Sequence, residues 1–263
     1  MALLTQSDLK DINTTLDDHS PQELLTWARD MFGSRGGILS AMQRSGSVVC
    51  HMAHALGLTM EVVFVDTGVM FQETLDTRDR IQKEYGLPVL TLHPDQTMDE
   101  QTRDLGILYL TKEGQEQCCE LRKTAPLLKA KGRYDCLIGS LRRSDGGNRS
   151  GVPILAVDPK MNCLRVNVLA NLSDQELEHY ITHHKVIINP LHFQGYNTIG
   201  CNRCTTPVLA GEPPRAGRWR HLGPWAVYCG INPTDIKGGT DKSIDLPQPL
   251  IDKILGRSAD FMI

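Results

Sequence analysis

Five short apolar runs, each ending in polar or glycine residues, constrain this chain more than anything else in it. They are GGILSAM at 36–42, MEVVFVDTG at 60–68, LPVLTLHPD at 87–95, YDCLIGSLRR at 134–143 and CLRVNVL at 163–169. Each pair is separated by enough chain for a helix, and this alternation predicts a parallel sheet with right-handed crossovers and helices on both faces. Ahead of the first run, Ser20-Pro21-Gln22-Glu23 forms a capping box with proline in the first turn. Leu24, Leu25, Trp27, Ala28 and Met31 follow at helical spacing. A doubly wound sheet binds its ligand beyond the carboxyl ends of its strands, so the residues that close each run are the ones to inspect.

Ser40 to Ser47, SAMQRSGS, leaves the first strand and opens a helix, so Ser40, Ser45 and Gly46 with the local amides are candidates for cradling phosphate or sulfate. A packing turn of small residues explains the same pattern. Asp66 in VDTG ends the second strand, where its carboxylate either meets a ligand hydroxyl or amide or caps the next helix. That helix, FQETLDTRDRIQKEYG, closes at Gly86. Beyond the fourth strand, SLRRSDGGNR sets Arg142, Arg143 and Arg149 around a glycine-rich turn, which lets an anion approach closely.

Four of the eight cysteines form two pairs, Cys118-Cys119 and Cys201-x-x-Cys204. Adjacent cysteines suit a disulfide poorly because bridging neighbours strains the backbone. Four thiolates so grouped admit zinc or an iron-sulfur cluster, and the missing spacer in the first pair departs from the usual spacing of zinc ligands. Cys50, Cys136 and Cys163 fall in or beside predicted core elements and read as small buried hydrophobes.

At 263 residues and 40% hydrophobic, the chain is long enough for one main domain with a sizeable core. A net charge of -3 argues against general affinity for nucleic acid or an anionic membrane. No stretch reads as a secretory signal or a bilayer span, so a cytoplasmic protein with reduced thiols is expected.

Taken together, CCELRKTAPL, SLRRSDGGNR, INPLHFQGYNTIGCNRCT and PPRAGRW resemble the ordered motifs of assimilatory sulfonucleotide reductases, specifically the adenylyl-sulfate reductases that carry a four-iron four-sulfur cluster. The likeness runs from about residue 37 to 230. It implies a Rossmann-like fold of the adenine-nucleotide α-hydrolase (PP-loop) type, with an α/β domain over 1–208 and a tail over 209–263. It assigns Cys118, Cys119, Cys201 and Cys204 to a 4Fe-4S cluster, and Lys123 to a place between cluster and substrate. Arg142, Arg143, Arg149, Arg215 and Arg218 become contacts for the anionic end of the sulfonucleotide, with His192 and Tyr196 near the site. The nucleophile is Cys229, in YCGIN where the family has Glu-Cys-Gly-Leu-His, so Tyr228 and Asn232 depart from the pattern. The implied reaction is reduction of adenosine 5′-phosphosulfate (APS) to sulfite and AMP through an S-sulfocysteine that thioredoxin or a glutaredoxin-like dithiol resolves. Alternatives are action on the 3′-phosphorylated sulfonucleotide, or a diverged sulfur-handling enzyme of the same fold. A homo-oligomer is compatible with the chain.

Overall fold

The computed structural model describes residues 4–223, 231–232 and 246–257. Its centre is a six-stranded sheet in the order β3-β2-β1-β4-β6-β5. The strands are β1 (Gly36–Leu39), β2 (Glu61–Val65), β3 (Val89–Leu92), β4 (Cys136–Gly139), β5 (Leu155–Asp158) and β6 (Cys163–Asn167). The five runs read from sequence become β1, β2, β3, β4 and β6, all mutually parallel. The sixth strand corrects the all-parallel expectation: β5 pairs antiparallel with β6 at the sheet edge, with Leu155 opposite Val166 and Asp158 opposite Cys163. A four-residue connection joins β5 to β6, too short for a helical crossover, so a hairpin is the available geometry.

The order reverses at β1. Strands β2 and β3 lie on one side of it and β4 on the other, which opens a crevice at the carboxyl ends of β1 and β4.

Strand alternation sorts the sheet into two faces. Ile38, Val62, Phe64, Ile138, Leu164 and Val166 enter the larger core, which the helices α1 (Gln6–Leu16), α2 (Pro21–Phe32), α3 (Arg44–Ala55) and α8 (Asp174–His184) cover. Val63, Leu137 and Cys163 point the other way, onto Leu127, Ala130 and Tyr134. Cys50, Cys136 and Cys163 are fully buried; desolvation pushes the Cys50 and Cys163 thiols up to about 12, which suits a packing role.

The predicted capping box is in place: Ser20 accepts from the Glu23 amide and the Glu23 carboxylate accepts from the Ser20 amide, opening α2 with Pro21 in its first turn. Helix α4 (Gln72–Tyr85) ends at Gly86 with φ +66°. Residues on either side of position 208 are packed together. Thr205 pairs with Arg218 in an antiparallel bridge, and the Trp219 amide donates to the Cys204 carbonyl at 2.9 Å. Helix α9 (Gln248–Ile254) buries Ile251 and Ile254 in the larger core. Among the described residues no helix is long and apolar enough to cross a membrane.

Candidate active site

Two adjoining cavities occupy the carboxyl end of the sheet. The larger, about 570 Å³, is of a size that holds a nucleotide. Its wall is built from the ends of β1 (Leu39, Ser40), β2 (Val65, Thr67) and β4 (Gly139 to Arg142). The amino-terminal turn of α3 adds Arg44, Ser45 and Gly46, where the positive end of a helix favours an anion. Gln43 ties this turn to the opposite wall by accepting the Ile199 amide at 2.9 Å.

Of the residues singled out as sulfonucleotide contacts, Ser40, Ser45, Gly46, Lys123, Arg142, Arg149, Arg215 and Arg218 line this cavity. Asp66 and Arg143 do not. Asp66 accepts the Gly68 amide at 2.8 Å and faces His93, while the N-cap of α4 is Phe71, so Asp66 closes a turn and caps no helix. Arg143 points away from the crevice, to Asp17 at 2.8 Å, the Val152 carbonyl at 3.1 Å and Asn171. Arg142 is buried and held by Asp145 at 3.1 Å and Asp174 at 2.7 Å, and Asp145 also holds Arg149 at 3.3 Å. Arg218 stacks on Trp219 with its guanidinium carbon 4.3 Å from the ring centroid. Gly200 makes room for it, since a Cβ there would stand 2.6 Å from that carbon.

The smaller cavity is lined by all four paired cysteines, with Gln115, Arg122, Lys123, Tyr109 and Trp219 among the rest. Cys118 and Cys119 end α6 (Lys112–Cys119), which continues through one wide π turn, Glu120–Thr124, closed by the Ala125 amide donating to the Glu120 carbonyl. Such turns concentrate at functional sites, and this one carries Arg122 and Lys123 inward. Cys201 and Cys204 flank a tight turn, with the Cys204 amide donating to the Cys201 carbonyl at 3.0 Å. Gln115 Nε2 donates to Cys119 Sγ at 3.0 Å, Gln101 Nε2 to Cys118 Sγ at 3.5 Å, and Cys201 Sγ lies 3.3 Å from Thr67 Oγ1. Burial raises the Cys118 thiol and takes that of Cys204 to about 12. Among the described residues no three His, Cys, Asp or Glu side chains converge on one metal ion.

Two observations bear on what this cavity suits. Arg122 is 2% exposed, and its partners are the Thr67 carbonyl at 2.6 Å and Gln101 Oε1 at 3.0 Å, neither of them an anion. Gly68, at φ +73°, lets it approach, because a Cβ there would lie 2.9 Å from its terminal nitrogen. A buried guanidinium is costly without a nearby negative charge. Trp219 Nε1, in the same wall, is a buried donor with no acceptor. Both features fit an anionic group held among the four sulfurs.

The residues and order match the phosphoadenosine phosphosulfate reductase domain over 38–207. The chain belongs to that family. Among curated relatives, the adenosine 5′-phosphosulfate reductase of Streptomyces coelicolor is 36% identical over 217 residues, covering 82% of this chain and 90% of the relative. That of Rhodococcus opacus is 32% identical over 240 residues, covering 87% and 96%. The crystal structure of phosphoadenylyl-sulfate (PAPS) reductase from Candida auris, a phosphate complex, shares the fold with a TM-score of 0.68 at 23% identity. It covers 77% of this chain and 98% of that one. The family and the PP-loop fold read from the motifs are thus borne out.

Cys229 and Tyr228 lie outside the described residues, whereas Ile231 and Asn232 line the larger cavity. Residues that sequence reasoning missed in this wall include Arg44, which pairs with Glu178 of α8, and Thr198. Gln101 and Gln115, at the cysteines, were also missed. A glutamine or threonine in a polar helix or loop carries no motif that marks it.

Proposed function

We propose that this chain reduces APS to sulfite and AMP in assimilatory sulfate reduction and cysteine biosynthesis, working in the cytoplasm with thioredoxin or a similar dithiol protein. The carrying observation is that Lys123 and Trp219 line both cavities, so a cationic nucleotide site and a four-cysteine site share one wall. The names of the relatives supply the substrate.

In this reading the α3 amino terminus, Ser45 and Gly46 hold the nucleotide, while Lys123, Arg215 and Arg218 hold the sulfated end. The Cys229 thiol gives up its proton and its thiolate attacks the sulfur of APS. The bond from that sulfur to the bridging oxygen breaks, and AMP departs with the electron pair. Five non-bridging oxygens that share two negative charges surround the reacting sulfur and its neighbouring phosphorus, so the cations lower the repulsion that an approaching thiolate meets. A dithiol thiolate then attacks Cys229 Sγ and expels sulfite, and its second thiol resolves the mixed disulfide. The dithiol ends oxidised to a disulfide and the sulfur reduced to sulfite. Tyr228 and Asn232 offer no acid or base near neutral pH, so positioning dominates over proton exchange.

Cys118, Cys119, Cys201 and Cys204 would hold a 4Fe-4S cluster, a reading that Arg122 and Trp219 Nε1 support. Bound there, it supplies fixed charge and a brace between α6 and the 201–204 turn, with no net electron transfer.

Anaerobically purified protein is expected to contain about four iron and four sulfide per chain. It should release sulfite and AMP in equal amounts from APS and thioredoxin. A colourless protein with one zinc rejects the cluster. No turnover of either APS or its 3′-phosphorylated form rejects the reductase.

A further inference from the structure

One group in the larger cavity has the wrong chemistry for an anion. His192 sits in the short turn Pro190–Gln194, is 7% exposed and lines the cavity. Its turn is anchored by Asn189, whose side chain accepts the Leu191 amide at 3.1 Å and donates to Thr74 Oγ1 at 2.9 Å. His192 Nδ1 lies 2.8 Å from the Tyr196 carbonyl oxygen. A carbonyl only accepts, so Nδ1 carries the proton. Burial, with the Arg44 charge beside it, pushes the imidazole down to about 4, so the ring is neutral at pH 7 and Nε2 presents a lone pair. That nitrogen is buried and has no hydrogen-bond partner.

A buried acceptor left without a donor costs about 1–3 kcal/mol. Phosphate and sulfate oxygens are acceptors at neutral pH and cannot relieve it. An N-H or O-H can, and on a sulfonucleotide those groups belong to the base and the sugar.

We propose that His192 Nε2 accepts a hydrogen bond from the nucleoside half of the bound nucleotide, either the exocyclic amino group of the base or a ribose hydroxyl. The inference rests on the adenine-nucleotide reading of the cavity. It makes His192 a specificity residue that reads the end of the ligand opposite to the one the arginines hold. Arg44 does not duplicate it, being a donor and engaged by Glu178.

The test is titration calorimetry of the full-length protein and of His192→Asn with four nucleotides: AMP, purine riboside 5′-monophosphate, 2′-deoxy-AMP and 3′-deoxy-AMP. Asparagine keeps a donor for the Tyr196 carbonyl at the place of Nδ1 and, being shorter, lacks the distal nitrogen. The native protein should bind one analogue about three- to tenfold more weakly than AMP, the range of one neutral hydrogen bond. His192→Asn should bind AMP more weakly by a similar factor and show no further loss for that analogue. The sensitive analogue tells amino from hydroxyl. Equal analogue ratios in the two proteins, or AMP binding unchanged in His192→Asn, overturn the proposal. Should His192→Asn fail to fold, ¹⁵N spectra of the histidine-labelled native protein decide: Nε2 must shift toward the hydrogen-bonded position when AMP is added, and an unmoved resonance overturns it. A native protein that binds neither AMP nor APS brings down the functional reading itself, which is a separate result.

Discussion

Lys123 and Trp219 separate two cavities whose polar groups are satisfied in different ways. Around the cysteines, Gln115 and Gln101 each donate to a sulfur, and Arg122 holds a carbonyl and an amide oxygen. Across the wall, Arg142 Nε, His192 Nε2, Thr198 Oγ1 and Arg218 Nε are buried without partners, and Trp219 Nε1, in the shared wall itself, is a fifth such atom. A site whose sulfurs are already oriented by the protein suits a resident group. A site with unmet donors and an unmet acceptor suits a ligand that comes and goes, since each arrival relieves a desolvation cost of about 1–3 kcal/mol per group. The wall between them belongs to both, so Lys123 faces the nucleotide-sized cavity and the four-cysteine cavity at once.

Replacing that shared lysine is the severest way to break the contrast. Lys123→Ala should lower kcat for APS by about 10²–10³-fold, the usual cost of removing a group aimed at developing charge. Steady-state sulfite release measures it. A drop of less than tenfold would make Lys123 a packing residue.

His192 gives a second effect, readable without substrate. Its pKa falls from 6.5 to about 4 on folding, chiefly through burial. Above pH 6.5 neither folded nor unfolded chain protonates it. As pH drops from 6.5 toward 4 the unfolded chain gains a proton that the folded chain refuses, so stability is lost through that window. This amounts to about 3 kcal/mol as an order of magnitude. Urea midpoints at pH 7 and pH 4 should therefore differ less in His192→Asn than in the native protein. An unchanged difference contradicts a buried neutral ring.

Arg143 sharpens the boundary of the site from outside. It faces away from the cavity, so Arg143→Ala should leave AMP affinity unchanged, while Arg142→Ala lowers it. The half-exposed pair with Asp17 limits the stability cost to about 1 kcal/mol. A loss of AMP affinity in Arg143→Ala would redraw the cavity.

Much of the architecture was legible because it obeys simple patterns: five short apolar strands, a capping box at Ser20 and a glycine stop at Gly86. Strand β5 escaped because VPILAVD is a single short run, with only a tight connection to β6 and no helix to mark it. The four paired cysteines line one cavity. Arginine identity alone could not separate Arg142 from Arg143, since neighbouring side chains after a strand leave in opposite directions. Asp66 misled for a related reason, as a carboxylate at a strand end serves its own turn as readily as a ligand. The π turn at 120–124 and the glutamines at the sulfurs depend on tertiary packing that no local pattern encodes.

In the proposed reaction a fifth cysteine, Cys229, attacks a sulfonucleotide beside the other four. Mass spectrometry of the anaerobic protein after addition of APS without any reductant tests this most directly. A sulfonate adduct on the peptide carrying Cys229, released as sulfite by thioredoxin and missing in Cys229→Ser, is the predicted result. No adduct under conditions that support turnover, or an adduct on a different cysteine, would contradict it.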